Sequence, residues 1–107
     1  MITKYNDFCL ICGSPRTDMH HCFKGTKQRH LADADGMIIP LCQEHHTGNM
    51  SVHQKKELNV LCEIIGQLAW EREYLIEQMI LPFDDSHDEI SDNARNAFRS
   101  RYGRSYL

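Results

Sequence analysis

The chain has 107 residues, of which 41% are hydrophobic and 25% charged, and its formal net charge is −3. These values are typical of one folded domain and exclude a disordered or low-complexity chain. They also exclude a uniformly basic nucleic-acid-binding protein, because residues 1–60 carry +1, residues 61–92 carry −8 and residues 93–107 carry +4. Any contact with nucleic acid therefore has to use local basic patches.

Cysteine and histidine are concentrated in the first half of the chain. Four of the five cysteines and six of the seven histidines lie within the first 53 residues. No stretch approaches the roughly 20 apolar residues of a membrane span, and residues 1–7 lack the apolar core of a secretory signal. We therefore expect a cytoplasmic protein with reduced cysteines, in which this composition predicts metal ligation rather than disulfides.

Short elements are predicted for the first half of the chain, where glycines and prolines interrupt every long period. The apolar run 37–39, stopped by Pro40, predicts one strand, and residues 19–23 predict its partner. The connection between these strands is predicted to be a loop. It carries Lys24, Lys27 and Arg29.

A long helix is predicted for the second half. Apolar residues recur every three or four positions from Leu58 to Met79, which is the stripe of an amphipathic helix that ends at Pro82. This stripe, with Trp70 and Tyr74, predicts core packing. It also exceeds what a small partner domain can cover, so a homodimer through this helix is a further expectation.

An acidic connection, residues 84–89, precedes a last short helix that Ser91 or Asp92 caps and that ends at about Tyr102. Four arginines lie in and just after this helix, and their role has two interpretations. They form a second phosphate-binding patch, or they pair with the acidic residues 84–92, which we favour. They are Arg95, Arg99, Arg101 and Arg104.

Two matched pairs of metal ligands stand 30 residues apart. Cys9-Leu-Ile-Cys12 is followed by Gly13, which permits a tight turn, and Cys42-Gln-Glu-His45 repeats the two-residue gap. Two such pairs complete a four-ligand shell, so they predict a structural zinc ion bound by Cys9, Cys12, Cys42 and His45. Cys62 lies on the apolar stripe of the long helix, and we expect both Cys62 and Cys22 to pack in the core.

Four further histidines need a second explanation: His20, His21, His46 and His53, whereas His30 and His87 lie outside this set. Adjacent residues on a strand point to opposite faces. One residue of the His20-His21 pair can therefore bind a metal while the other reaches the substrate side. The alternative is that these histidines are ordinary solvent-exposed polar residues.

The order of these motifs resembles a known family. Cys-Leu-Ile-Cys-Gly, Met-His-His-Cys-Phe-Lys-Gly, Leu-Cys-Gln-Glu-His-His and Val-His follow one another as in the HNH, or ββα-metal, endonucleases, in particular a small phage and prophage group. The resemblance covers roughly residues 9–60. The ending Tyr-Gly-Arg-Ser-Tyr-Leu, residues 102–107, also resembles the C-terminus of that group.

The resemblance implies one α+β domain, residues 1–107, with a small, zinc-stabilised, treble-clef-like ββα-metal core at about residues 5–60. The long helix and the short C-terminal helix form an extension at about residues 54–107. By resemblance to histidine-rich members such as the colicin-type nucleases, His21 would be the general base. A catalytic Mg²⁺, Mn²⁺, Ni²⁺ or Zn²⁺ ion would be held by His20, His46 and His53.

The activity implied is hydrolytic nicking or cleavage of DNA in phage DNA processing or recombination, inside a bacterial host. Lys24, Lys27 and Arg29 are the expected contacts to the DNA backbone, and the alternative is that they belong to an ordinary solvated loop. One departure concerns Met37, which stands where the family name expects an asparagine. Asp33 or Asp35 is the candidate substitute.

Two other functions remain open from the sequence. The first is a non-catalytic zinc module that binds nucleic acid or a protein partner, for which His21 would be dispensable. The second is a small phage regulator that uses the long helix to bind a host protein.

Overall fold

The computed structural model describes residues 2–78 and 87–107, and in these ranges it shows a small α+β chain with one two-stranded sheet and four helices. In chain order the elements are β1 (Asp18–His21), α1 (Thr26–Asp35), β2 (Ile38–Leu41), α2 (Gln43–Thr47), α3 (Lys56–Glu77) and α4 (His87–Tyr102). None of the helices in the described part of the chain is both long and apolar enough to cross a membrane.

The two predicted strands pair, with shifted bounds. β1 and β2 are antiparallel, with Asp18 opposite Leu41 and His21 opposite Ile38. The prediction that Pro40 stops the second strand is wrong, because β2 continues through it. Proline lacks an amide hydrogen, but a two-stranded sheet has only edge strands, where proline is tolerated. The carbonyl of Pro40 accepts the Leu10 amide at 3.0 Å, which attaches the N-terminal segment to β2.

The connection between the strands is a helix, α1, and not the predicted loop. The two glycines that suggested a loop lie at its ends, with Gly25 before the first helical residue and Gly36 after the last. Gly36 has φ +74°, and its amide bonds back to the carbonyls of Ala32 and Asp33, which is a common glycine C-cap. Lys27 and Arg29 therefore lie on a helix surface.

The predicted long helix is confirmed as α3, which ends at Glu77. The predicted boundary at Pro82 lies outside the described residues. The predicted stripe is buried only in part, because Cys62 lies in the core whereas Leu61, Leu68 and Ile76 are about half exposed, at 52%, 52% and 51%. The homodimer through this helix stays a prediction. The buried residues of α3 are Asn59, Cys62, Gly66, Gln67 and Glu71.

Gly66 explains which face of α3 is buried. A β-carbon at this position would lie 2.7 Å from Cβ of Cys22 and 2.9 Å from Cζ of Phe23. Because real β-carbons essentially never approach other atoms so closely, only glycine allows α3 to lie directly against the end of β1. The closest packing therefore determines the buried face, and the apolar stripe stays partly outside.

Helix α4 begins at His87, earlier than the predicted Ser91 or Asp92, and ends at Tyr102 as predicted. Residues 88 and 89, which the sequence analysis placed in the connection, belong to α4. Residues 84–86 of the predicted acidic connection lie outside the described residues.

An aromatic cluster joins α4 to the rest of the core. Phe98 and Tyr102 stack with ring centroids 4.5 Å apart, and both contact Phe23, whose centroid lies 5.4 Å from Phe98 and 4.6 Å from Tyr102. Trp70 of α3 packs edge-on against Phe98 at 5.5 Å and stacks on Tyr74. The predicted packing role of Trp70 is therefore confirmed.

Two of the C-terminal arginines bind carboxylates of other elements, and the favoured pairing with residues 84–92 stays a prediction because the side chains of residues 84–91 lie outside the described ones. Arg101 bonds Asp35 of α1 through two contacts of 2.6 Å, and Arg95 lies 3.5 Å from Glu71 of α3. These carboxylates are partly or largely buried within the fold, where an ion pair with an arginine offsets their desolvation. The arginines therefore hold α4 against α1 and α3.

Asp35 is the centre of this network. Its carboxylate also accepts hydrogen bonds from the hydroxyl of Tyr102 at 2.7 Å and the indole nitrogen of Trp70 at 2.9 Å. Burial acts to raise the pKa of Asp35, but the bonds from Arg101 and Tyr102 outweigh it, and the pKa is lowered. Asp35 is thus a structural residue, which leaves Asp33 as the remaining candidate of the two.

Candidate metal centres

The four predicted zinc ligands come together in one cluster, here called the cysteine cluster: Cys9, Cys12, Cys42 and His45. Their ligand atoms all lie within 4.8 Å of one another. The sulfurs of Cys12 and Cys42 are 3.7 Å apart, and Nδ1 of His45 is 3.3 Å from the Cys42 sulfur. Ligands of a tetrahedral zinc ion, at about 2.0–2.3 Å from the metal, are separated by similar distances. The cluster can therefore hold a metal such as zinc.

Local backbone structure brings the first two cysteines together. Gly13, at φ +77°, donates its amide to the carbonyl of Cys9 at 2.9 Å, and the Cys9 amide bonds the carbonyl of Ser14 at 2.6 Å. This tight turn places both thiols on one side. Hydrogen bonds from Ser14 lower the pKa of the Cys12 thiol to about 6, which favours the thiolate that binds metal.

Cys22 and Cys62 take no part in this cluster. Both are buried in the core, as predicted, and burial raises the pKa of Cys22 to about 12 and that of Cys62 to about 11. They stay protonated thiols that pack as small apolar groups.

Three of the four remaining histidines form the second group, here called the histidine cluster: His20, His46 and His53. Their ligand atoms also lie within 4.8 Å of one another, and their ring centroids are 4.9–5.4 Å apart. The alternative that these are unrelated solvent-exposed histidines does not fit this geometry. Each comes from a different element, namely β1, α2 and the turn that precedes α3.

His20 supplies the test of whether the histidine cluster fits a metal. It is 4% exposed, and its Nε2 is buried without a hydrogen-bond partner among the described residues. A buried polar nitrogen without a partner costs about 1–3 kcal/mol. Burial, followed by the charges of His46 and His53, lowers the pKa of His20 to about 3, so the ring is neutral and Nε2 can carry a lone pair. Three converging imidazoles with one such nitrogen fit a divalent ion.

Asp18, which the sequence analysis missed, orients one of these histidines. Its Oδ2 lies 3.0 Å from Nδ1 of His46, which leaves Nε2 of His46 to face the cluster. Metal-binding histidines commonly donate their other ring N–H to a carboxylate in this way. The signal was available, because Asp18 and His20 are two residues apart on a strand and share a face.

His21 lies beside the histidine cluster without joining it. Its Nε2 is 2.7 Å from Oδ1 of Asp33 on α1. It also lines a cavity of about 460 Å³ together with the three histidines of the cluster. The two neighbouring histidines of β1 therefore have different partners, as the strand geometry predicts.

Two of the three predicted DNA-contacting residues line the same cavity. Lys24 and Arg29 border it, whereas Lys27 lies on the exposed surface of α1 outside the lining. Met37, at the position where the resemblance expects asparagine, is buried in the core and 5% exposed. The side chain that contacts His21 comes instead from Asp33, on the preceding helix.

Comparison of the chain with protein-family models, with curated proteins and with solved structures gives no match. The functional argument therefore depends on the residues of the two clusters and of the cavity.

Proposed function

We propose that this chain is a metal-dependent endonuclease of the HNH, or ββα-metal, type that nicks DNA by phosphodiester hydrolysis. The main support is a single observation: the histidine cluster, His21, Lys24 and Arg29 line one cavity. Metal-binding imidazoles, an additional histidine outside the ligand set and two cations are the groups that hydrolysis of a phosphodiester uses.

The histidine cluster is the proposed catalytic metal site. An ion bound by His20, His46 and His53 would act as a Lewis acid toward the charge that builds on the phosphate. Imidazole donors bind Ni²⁺ and Zn²⁺ more tightly than Mg²⁺ or Mn²⁺, although any of the four is compatible with the proposal. The cysteine cluster, with four donors already present, is proposed to be structural.

His21 is the proposed general base. With Nε2–H donated to Asp33, the lone pair resides on Nδ1, which takes a proton from the attacking water. The water oxygen forms a new bond to phosphorus, the bond from phosphorus to the 3′ oxygen breaks, and this oxygen takes a proton from solvent. Lys24 and Arg29 are proposed to bind the non-bridging phosphate oxygens.

A single catalytic centre per chain accounts for a nick, and two copies would be needed for a double-strand break. On the sequence resemblance alone, we place this activity in phage or prophage DNA processing or recombination in the bacterial cytoplasm.

The test is nicking of supercoiled plasmid by the metal-stripped, zinc-restored protein, with Mg²⁺, Mn²⁺, Ni²⁺ or additional Zn²⁺ added one at a time. We expect His21→Ala to lose at least about 100-fold in rate, because proton transfer contributes that much. His30→Ala is the histidine control, since His30 is an exposed histidine of α1 outside the 460 Å³ cavity, although it borders a smaller cavity with His21 and Asp33. Equal nicking by wild type and His21→Ala would overturn the assignment.

A non-catalytic zinc module for nucleic acid or a protein partner is the second candidate. Met37 in place of the expected asparagine and the acidic net charge of −3 favour it. The same experiment separates the two functions: a protein that binds DNA, retains zinc and nicks with none of the four ions is the module.

A further inference from the structure

The C-terminal residues 103–107 are held in a fixed position against α3. Gln67 is fully buried, and its amide nitrogen donates to the hydroxyl of Ser105 at 2.9 Å while its amide oxygen accepts the Tyr106 backbone amide at 2.6 Å. A buried glutamine is costly unless both ends are bonded. The segment is therefore a built part of the fold.

Tyr106 connects this segment to the end of β1. Its ring stacks on Phe23, with centroids 5.3 Å apart and planes inclined by 13°. The guanidinium carbon of Arg104 lies 4.6 Å from the centroid of the Tyr106 ring, which is a cation–π contact. The exposed Arg104 thus contacts a ring that is itself held in place by its stacking on Phe23.

Arg104 differs from Arg95 and Arg101, which form ion pairs within the fold. Arg101 and Arg95 bind carboxylates within the fold, whereas the structure, over its described ranges, gives Arg104 no carboxylate within 4.0 Å. Burial raises the pKa of Glu63, and the charges of Arg104 and Lys24 act against that rise.

Lys24 in turn links this group to the proposed active site. It follows Phe23, on which Tyr106 stacks, and it lines the cavity with the histidine cluster. Phe23 lines the same cavity, so Arg104 is connected to the cavity through the rings of Tyr106 and Phe23.

We propose that Arg104, positioned by Tyr106, binds a backbone phosphate of the DNA strand that flanks the cleavage position, next to the contact made by Lys24. A guanidinium matches two phosphate oxygens at once, and one that is already held in place loses less freedom on binding. This inference rests on the proposed function, because it assigns a second contact to the same substrate.

The test compares Arg104→Gln with Arg72→Gln, which removes an equal charge from an exposed arginine of α3. Binding of a fluorescent DNA duplex to the zinc-loaded chain is measured by anisotropy at several salt concentrations. We expect Arg104→Gln to raise Kd about five- to tenfold and to reduce the salt slope by about one, whereas Arg72→Gln changes neither. In the nicking assay KM should rise with kcat nearly unchanged.

A second pair of variants tests the role of the ring. Tyr106→Phe keeps the stack and should bind as the wild type does, whereas Tyr106→Leu should weaken binding in the same direction as Arg104→Gln. Equal Kd and salt slope for Arg104→Gln and Arg72→Gln would overturn the inference. If the wild type still nicks through His21 in that case, the proposed function survives; if the wild type binds no DNA, both fail.

Discussion

The two clusters differ in donor chemistry and in access, although His45 and His46, adjacent on α2, belong one to each. The cysteine cluster offers three sulfurs and one imidazole, which are enough donors for a tetrahedral zinc site. The histidine cluster offers three imidazoles that border a cavity of about 460 Å³, so positions remain for water or phosphate. A closed set of donors stabilises a fold, and an open one supports chemistry.

Removal of one thiolate should have the largest effect. We expect Cys42→Ser to lose the zinc ion proposed for this cluster and more than about 3 kcal/mol of unfolding free energy, because binding at such sites contributes directly to folding. Zinc content and urea unfolding measure both. Cys62→Ala, a buried cysteine outside the cluster, is the control and should keep its zinc. A Cys42→Ser protein with wild-type zinc content and stability would contradict the structural role.

Removal of a histidine from the open cluster should have the opposite profile. His53 is exposed, so we expect His53→Ala to change the unfolding free energy by less than about 1 kcal/mol while weakening binding of the second metal at least about tenfold. Titration of the zinc-loaded protein with Ni²⁺ gives the affinity. An unchanged affinity for Ni²⁺, or loss of folding, would contradict the separate structural and metal-binding roles of the two clusters.

Asp33 should affect the proposed nicking reaction through its contact with His21. Asp33→Asn removes the charge that holds His21, and since this residue is exposed, we expect stability to stay the same. The nicking kcat should fall about 10- to 100-fold with KM nearly constant, because a positioning residue affects the step and not substrate binding. A change in KM alone would instead place Asp33 in substrate binding.

Asp35, two residues along α1, should act on stability alone. Its pKa is lowered in the folded state, so its contribution is present at pH values above the unfolded pKa of about 3.9 and is lost only as the pH falls through the lower folded value. We expect Asp35→Asn to cost about 1–3 kcal/mol, constant between about pH 5 and 8. A loss that changes with pH across this window would argue against the network.

The exposed pair Arg72–Glu73, at 3.2 Å, gives the reference for that measurement. Because surface ion pairs contribute little, Glu73→Gln should change the unfolding free energy by less than about 0.5 kcal/mol. A similar cost for both variants would show that the contacts of Asp35 to Trp70, Arg101 and Tyr102 add nothing.

The residues of the cysteine cluster were predictable because metal ligation imposes spacing on the sequence: Cys9 and Cys12, like Cys42 and His45, are separated by two residues. The ligand set of the histidine cluster came from the family resemblance, and spacing did not give it. The pairing of β1 with β2 and the existence of α3 followed from periodicity. Helix α1 was missed because Gly25 and Gly36 look the same in sequence whether they cap a helix or form a loop.

Long-range polar contacts were the least predictable feature. No local pattern shows that Arg101 binds Asp35 across 66 residues, or that Gln67 holds the segment around Tyr106. The buried face of α3 likewise depends on how closely Gly66 approaches Cys22 and Phe23. Such choices are made by packing between elements, and hydropathy along one helix does not contain them.

The most direct test of the two-cluster account is stepwise metal addition to the metal-free chain, with folding and plasmid nicking followed on the same samples. The account predicts that the first equivalent of Zn²⁺ restores the folded circular dichroism spectrum without nicking, and that a second equivalent of Ni²⁺ or Mn²⁺ produces nicking. Full folding and full nicking after one equivalent, or no nicking after any addition, would contradict it.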